Sequence, residues 1–301
     1  MKMRLLPIMA ALFLSQASLP AIAQEYGGTL HLNWGTLDTT DFHRHTGTIS
    51  LPHSFAETLT SISRDGSPKG LLAESWTVSD DALTYTFNIR KGVKFHNGRE
   101  LTASDVRQNF ERIRDKVEGG WLTTAMEQVE SFSTPDDHTF VVQLKVPFSP
   151  FLNLIAEAWI LAPESPGWDT NITQPIGTGP FTFDSWTPQL TLNGSKFKDY
   201  WMEGKPYLDA VVFDVREVAD SSLALRAGDY EISTVQLSKV DSIQKEGFEI
   251  AFQGGTSWDF ISFNNRKPRP PFDNVKVREA VMWAVDRTQF STIMNGSLGV
   301  P

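Results

Sequence analysis

Between Leu83 and Arg90 the chain alternates apolar and polar residues without a break, and no other feature constrains the fold as tightly. Leu83, Tyr85, Phe87 and Ile89 fall on one side; Thr84, Thr86, Asn88 and Arg90 fall on the other. That is the period of a strand with one buried face. Ser79-Asp80-Asp81 before it reads as a turn, because short polar side chains bond their own backbone. Asn97-Gly98 is a second turn signal, since both residues tolerate positive φ. Thr102 stands three residues before Asp105, a capping box with Asp in place of Glu or Gln. Val106, Phe110, Ile113 and Val117 then recur at spacings of four, three and four, one apolar stripe on a helix. The stretch 69–113 is therefore a hairpin followed by an amphipathic helix, and none of it is catalytic chemistry.

Beyond this stretch the pattern mixes strands and helices. Residues 27–35 read as a first strand, with Thr29, His31 and Asn33 alternating with Leu30, Leu32 and Trp34, and 51–59 read as helical. Arg64-Asp65-Gly66 forms a turn. Val129–Phe132 and His138–Val146 read as strands joined by a turn at Thr134–Asp137, and Pro147–Ala158 as a short apolar helix. Later come a strand at Val211–Val215 and a helix capped by Asp220 or Ser221 and ended by Gly228. A strand at Asp229–Ile232, a helix at Ser238–Gly247 and a strand at Phe260–Asn264 follow. Val277, Ala280, Val281, Ala284 and Val285 make an apolar helical face near the end. Strand–helix–strand alternation implies an α/β fold.

The N-terminus, MKMRLLPIMAALFLSQASLPAIA, has a basic start, a short apolar run and Ala21-Ile22-Ala23. It reads as a cleavable signal peptide over residues 1–23, and the apolar run is too short to span a bilayer comfortably. A periplasmic destination follows. The formal net charge is −9; without residues 1–23, which hold Lys2 and Arg4 and no acid, 25 basic residues face 36 acidic ones, or −11. An acidic surface argues against nucleic acid and anionic membrane as partners. Cysteine is absent, which excludes thiolate nucleophiles and thiolate metal sites.

Three groups invite a functional reading. His43, His45 and His53 lie near Asp38 and Asp41, and these are the ligand types for nickel or zinc. The spacing is loose, so surface or cleft-rim histidines fit better. Asp80-Asp81 and Asp136-Asp137 resemble carboxylate pairs, but adjacent residues on a turn point apart. Ile176-Gly177-Thr178-Gly179-Pro180-Phe181 resembles a phosphate loop but lacks the third glycine and the following helix. Its glycines suit a tight chain crossing. No G-x-S-x-G, H-E-x-x-H or cysteine–histidine arrangement supports a secreted hydrolase.

Several motifs carry a family resemblance. LAESW-x-x-SDD, TF-x-IRKGVKFHNG and LTASDV in 72–106, IGTGPF in 176–181, DYW in 199–201, GKPYLD in 204–209 and PPFDNVKVREA in 270–280 are similar to the family 5 extracellular solute-binding proteins of ABC importers. The resemblance implies a periplasmic binding protein fold of type II, two-lobed with an extra subdomain. It places the lobe I core at 24–54 and 176–268, an inserted subdomain at 55–175, and the start of lobe II at 269–301. The subdomain is expected to lie away from the ligand, with a structural or importer-docking role. Family members continue past Pro301, so the second lobe is largely absent from this chain, and the last helix is expected to expose its apolar face. The loop after the first strand faces the ligand cleft, which makes Trp34, Gly35 and Thr36 candidate contacts. Thr256, Ser257 and Trp258 are the second group. Both tryptophans read equally well as packing residues.

The implied function is capture of a short peptide between two lobes by hinge closure, for delivery to membrane permease subunits, without catalysis or cofactor, by a protein monomeric when full length. Nickel or another metal chelate, an opine or an oligosaccharide are alternatives on the same fold. A sensor or chaperone role is the alternative of a different class.

Overall fold

The computed structural model describes residues 25–33, 35–45, 51–118, 122–216, 218, 220–236, 239–251, 262–264 and 266–295. In chain order the elements begin with β1 (Thr29–Asn33), then β2 (Thr60–Ile62), β3 (Pro68–Gly70), β4 (Ala73–Val78) and β5 (Thr84–Ile89). Next come α1 (Ala103–Lys116), α2 (Thr123–Glu127), β6 (Val129–Asp136), β7 (Thr139–Leu144) and α3 (Phe151–Ile155). The remainder is β8 (Phe181–Thr187), β9 (Thr191–Lys196), β10 (Ala210–Asp214), α4 (Ser222–Ala227), β11 (Ile232–Ser233), α5 (Val240–Lys245), α6 (Val275–Ala284) and α7 (Arg287–Asn295).

Two sheets organise these elements. One runs β11-β1-β10-β9-β8, the other β4-β5-β7-β6, and β2-β3 form a small hairpin. The four-stranded sheet grows from the alternation at 83–90. Tyr85, Phe87 and Ile89 are at most 5% exposed and pack with Phe110, Phe140 and Val142. Each fully buried side chain of this size contributes about 1.5–3 kcal/mol. α1 starts where its capping box predicts: the Asp105 carboxylate accepts from the Thr102 backbone N–H and hydroxyl, both at 2.8 Å. Val106, Phe110 and Ile113 turn its apolar stripe onto the sheet.

The five-stranded sheet has a second core. Leu32, Val211 and Phe213 meet Phe42, Leu51 and Phe55. Phe55, Ala56, Trp159, Leu161 and Ile172 belong to the same cluster, so residues from within 55–175 help to build the core of the first sheet. The chain comes close to itself here. A Cβ on Gly177 would sit 2.1 Å from the Phe55 carbonyl oxygen, and one on Gly179 2.5 Å from the Phe55 carbonyl carbon. The glycine-rich motif is thus a crossing point, as its composition suggested.

The structure departs from the sequence reading in several places. Residues 51–59 are not a helix: only Pro52–Ser54 form a 3-10 turn, and the chain then bridges Glu57 to Ile160. The press of Gly177 and Gly179 against Phe55 and Ala56 outweighs local propensity. β6 continues through Asp136, moving the turn to Asp137-His138. The helix expected over 147–158 is confined to α3, and in place of the strand expected over 229–232 the two-residue β11 overlaps it only at Ile232. Of Phe260–Asn264 only 262–264 are described, with no regular structure. The signal peptide lies outside the described residues. Among the described residues no helix is long and apolar enough to cross a membrane. α6 has no buried residue: on its expected apolar face Val277, Val281 and Val285 are half-buried and Ala280 and Ala284 exposed, while Met282 and Trp283, off that face, are 54% and 89% exposed.

Candidate functional site

β1 pairs in parallel with both β10 and β11, so the three strands end on one edge at Asn33, Asp214 and Ser233. In open α/β sheets the crevice beyond the carboxyl ends of parallel strands is the usual place for a ligand. Asn33 ties two of the exits together: its amide donates to the carbonyls of Asp214 at 3.1 Å and Arg216 at 3.4 Å. The Asp214 carboxylate accepts from Arg216 through the backbone N–H at 3.1 Å and through Nε at 2.8 Å. It also accepts from Arg216 Nη2 and the Tyr230 hydroxyl. Burial pushes Asp214 up, yet these bonds hold it below the ordinary carboxylate range. Arg216 and Tyr230 escaped the sequence reading, because only the fold brings residues on either side of α4 to one carboxylate.

Of the predicted contacts, Gly35 and Thr36 lie directly beyond β1. Gly35 is half-buried with φ +70°, a conformation that favours glycine, and Thr36 is exposed. Trp34, Thr256, Ser257 and Trp258 fall outside the described residues.

The loop then turns inward. Thr40 donates to the Ile172 carbonyl at 2.8 Å. Asp41 is fully buried and receives Arg112 through Nη1 at 2.9 Å and Nη2 at 2.5 Å. His43 is 4% exposed; one ring nitrogen donates to the Trp159 carbonyl at 2.8 Å and the other accepts from Arg112 at 2.8 Å. Burial, reinforced by the Arg112 charge, lowers its pKa to about 4. His45 is also buried, against the Asp38 carboxylate. His53 is half-buried with its ring 5.6 Å from that of Trp159, and burial lowers its pKa. The expectation of surface or rim histidines is thus corrected: the apolar rings and carbonyls around Trp159 and Trp168 draw them in. Both nitrogens of His43 are engaged within the protein. Among the described residues no group of three or more His, Cys, Asp or Glu could hold a metal.

A second buried carboxylate explains two of the motifs. Glu57, 3% exposed, accepts from Thr178 Oγ1 at 3.0 Å, Tyr200 OH at 2.8 Å and Trp201 Nε1 at 2.9 Å. The threonine of the glycine-rich crossing and the aromatic pair of DYW therefore meet on one side chain. His96 joins the crossing by donating to the Gly179 carbonyl at 3.0 Å, and burial lowers its pKa to about 4. The acidic pairs do turn work, with Asp81 accepting from the Leu83 N–H at 3.1 Å and Asp136 from the His138 N–H at 2.8 Å. An open cavity of about 250 Å³ lies beside the β1 loop, lined by Thr40, Thr173, Gln174 and β8 residues including Asp184 and Trp186.

Comparison with known proteins is consistent across sequence and structure. The family described as bacterial extracellular solute-binding proteins, family 5 (middle), matches residues 67–301. The glutathione-binding protein GsiB of Escherichia coli O1:K1 is 31% identical over 281 residues, which is 90% of this chain and 54% of that protein. The chain thus spans about half the length of the curated relatives it matches. Among solved structures, the oligopeptide-binding protein AppA of Bacillus subtilis with a nonapeptide aligns at TM-score 0.77 and 28% identity, covering 91% of this chain and 57% of that one. DppA of Helicobacter pylori, in complex with the peptide STSA, aligns at TM-score 0.72 and 27% identity, covering 90% and 59%. These neighbours bear out the mixed α/β fold of the periplasmic binding protein type, with the extra four-stranded sheet beside the first. The chain belongs to the bacterial extracellular solute-binding proteins of family 5.

Proposed function

We propose that this chain is part of the periplasmic solute-binding component of an ABC importer and that its solute is a short peptide. The observation that carries the reading is the shared fold with AppA, in which 91% of this chain aligns with a protein holding a nonapeptide. GsiB, named for glutathione, a tripeptide, supplies the first probe. The solute meets the carboxyl edge of β1, β10 and β11, with Gly35 and Thr36 on its rim and Trp34, Thr256, Ser257 and Trp258 as further contacts. Capture, rather than chemical conversion, is the task. The chain is exported through a cleavable signal peptide over 1–23, and the loaded protein docks on membrane permease subunits. Lobe I comprises 24–54 and 176–268, the inserted subdomain 55–175, and 269–301 opens lobe II. The two separate sheets and the unburied α6 support this division, while Phe55, Ala56, Trp159, Leu161 and Ile172 tie the ends of the inserted segment into the core of lobe I.

Thermal unfolding of residues 24–301 tests the reading, with glutathione, a dipeptide and an oligopeptide added separately. A ligand that binds only the folded state raises the midpoint by mass action, contributing about 2.7 kcal/mol at a hundredfold excess over Kd. A rise with any of the three supports peptide as the class. An unchanged midpoint with all three at millimolar concentration defeats it.

A further inference from the structure

The residues just past the candidate edge are held by a buried charged cluster that solute capture, as described, does not use. The described part of the loop beyond β1 runs from Gly35 to His45. Along it, Thr40 is fixed to Ile172, Asp41 to Arg112 and to the Ile172 N–H at 3.2 Å, and His43 to Arg112 and Trp159. Arg44 adds a second guanidinium 3.4 Å from Asp41 and donates to the Lys116 carbonyl. The central member, Arg112, is 2% exposed and also donates through Nε to the Trp168 carbonyl at 2.7 Å. It stands on α1, the helix of the other sheet. The loop beside the solute edge is therefore anchored from the neighbouring substructure.

Such a cluster is a poor way to gain stability alone, since apolar packing of the same volume does as well. What the planar guanidinium supplies is direction: several fixed donors that admit one placement of their acceptors. A buried network hydrogen-bonded through Arg112, Asp41 and His43 rigidifies what it holds, with the Arg44 Nε alongside at ion-pair distance from Asp41 but without a hydrogen bond. We infer that Arg112, with Asp41 and His43, forms a positioning unit that sets loop 35–45 against the sheet edge, so that Gly35 and Thr36 present a preformed rim to the solute. The inserted segment then takes part in binding, whereas the family resemblance places it away from the ligand. This inference rests on the solute reading above.

Amide hydrogen exchange and glutathione titration on the same protein test it. The variants are Arg112→Met, Arg112→Lys and Thr40→Val, the last removing one loop anchor without stranding a charge. The amides of Asp41 and Arg44, bonded to Thr39 Oγ1 and the Asp41 carbonyl, report the loop. Arg112→Met is expected to speed their exchange about tenfold or more by local opening, leaving α1 and β5–β7 protected. It should also weaken glutathione binding by about tenfold through lost preorganisation. Arg112→Lys should recover part of both effects, and Thr40→Val should show smaller changes in the same direction, which keeps the test open if Arg112→Met fails to fold. Two results overturn the inference: faster exchange spread evenly over α1 and the sheet, or a loosened loop with unchanged affinity. A wild-type chain that binds neither glutathione nor the other peptides removes the solute reading and this inference with it, and the wild-type titration tells that failure apart.

Discussion

Asp41 and Glu57 are both buried carboxylates at the places where the two sheets meet, at 0% and 3% exposure, yet their surroundings are opposite. Burial pushes Asp41 up, but the Arg112 guanidinium and the Ile172 N–H outweigh it, and the group is held below the ordinary range. Glu57 has three neutral donors, and burial prevails over them, so its pKa is raised. Arg90 stacks on the Trp201 ring at 4.4 Å rather than meeting the carboxylate. The Arg90 charge also lowers Glu57 without hydrogen-bonding to it, so the guanidinium bonded directly to Asp41 is what separates the two signs. One seam is a full ion pair with fixed geometry; the other is a polar knot that tolerates a proton.

The sharpest way to break this comparison is to make the same chemical change at both carboxylates. Asp41→Asn leaves Arg112 buried without its counter-charge and is expected to cost about 3–5 kcal/mol in urea denaturation at neutral pH. An equal cost for Glu57→Gln would erase the distinction between the seams.

Acid comes next in size, and it touches both seams through neutral histidines. His43 and His96 drop from the ordinary 6.5 to about 4 in the fold. Their pKa values are depressed, so protonation favours the unfolded chain, and stability present above pH 6.5 is lost as pH falls towards 4. Each contributes on the order of 3 kcal/mol. Asp41 adds a further loss as pH falls from its ordinary 3.8 through its lowered value. Glu57 runs the other way: its raised pKa stabilises the fold below its ordinary 4.5 and that contribution fades as pH rises through the folded value. Urea midpoints should therefore fall between neutral pH and pH 4. A flat profile contradicts the burial of the two histidines as neutral groups.

A smaller effect probes the crossing itself. Gly177→Ala places a Cβ 2.1 Å from the Phe55 oxygen, among backbone atoms with little room to give. A cost of about 1–3 kcal/mol is expected from overpacking. A neutral substitution would mean that the crossing is looser than this close approach implies. Smallest of all is Glu57→Gln at neutral pH, expected near 1 kcal/mol because the amide oxygen keeps some of the three donors. Its deficit should be larger below pH 4.5, where the raised pKa favours the wild-type fold, than above the folded pKa, where that contribution is gone.

What the sequence by itself determined is local or repeated: the strand at β5, the capping box of α1, the turns at Asp81 and Gly98, the tight glycine crossing, and the family, through motifs spread over most of the chain. The strand, the cap and the turns follow from periods of two and 3.6 and from side chains bonding their own backbone, which neighbours along the chain suffice to specify; the family rests on the resemblance of its motifs, and the segment the glycines cross, at Phe55, is set by the fold. Only the tertiary structure decided that residues 51–59 would bend rather than coil, and that the three histidines would turn inward. It alone joined DYW to Glu57 across 143 residues and Arg112 to Asp41 across 71. The reason is physical. A hydrogen-bond partner so far along the chain is chosen by which surfaces the two cores bring together, and a buried polar group left without one costs about 1–3 kcal/mol, so the fold selects these pairs where propensity cannot.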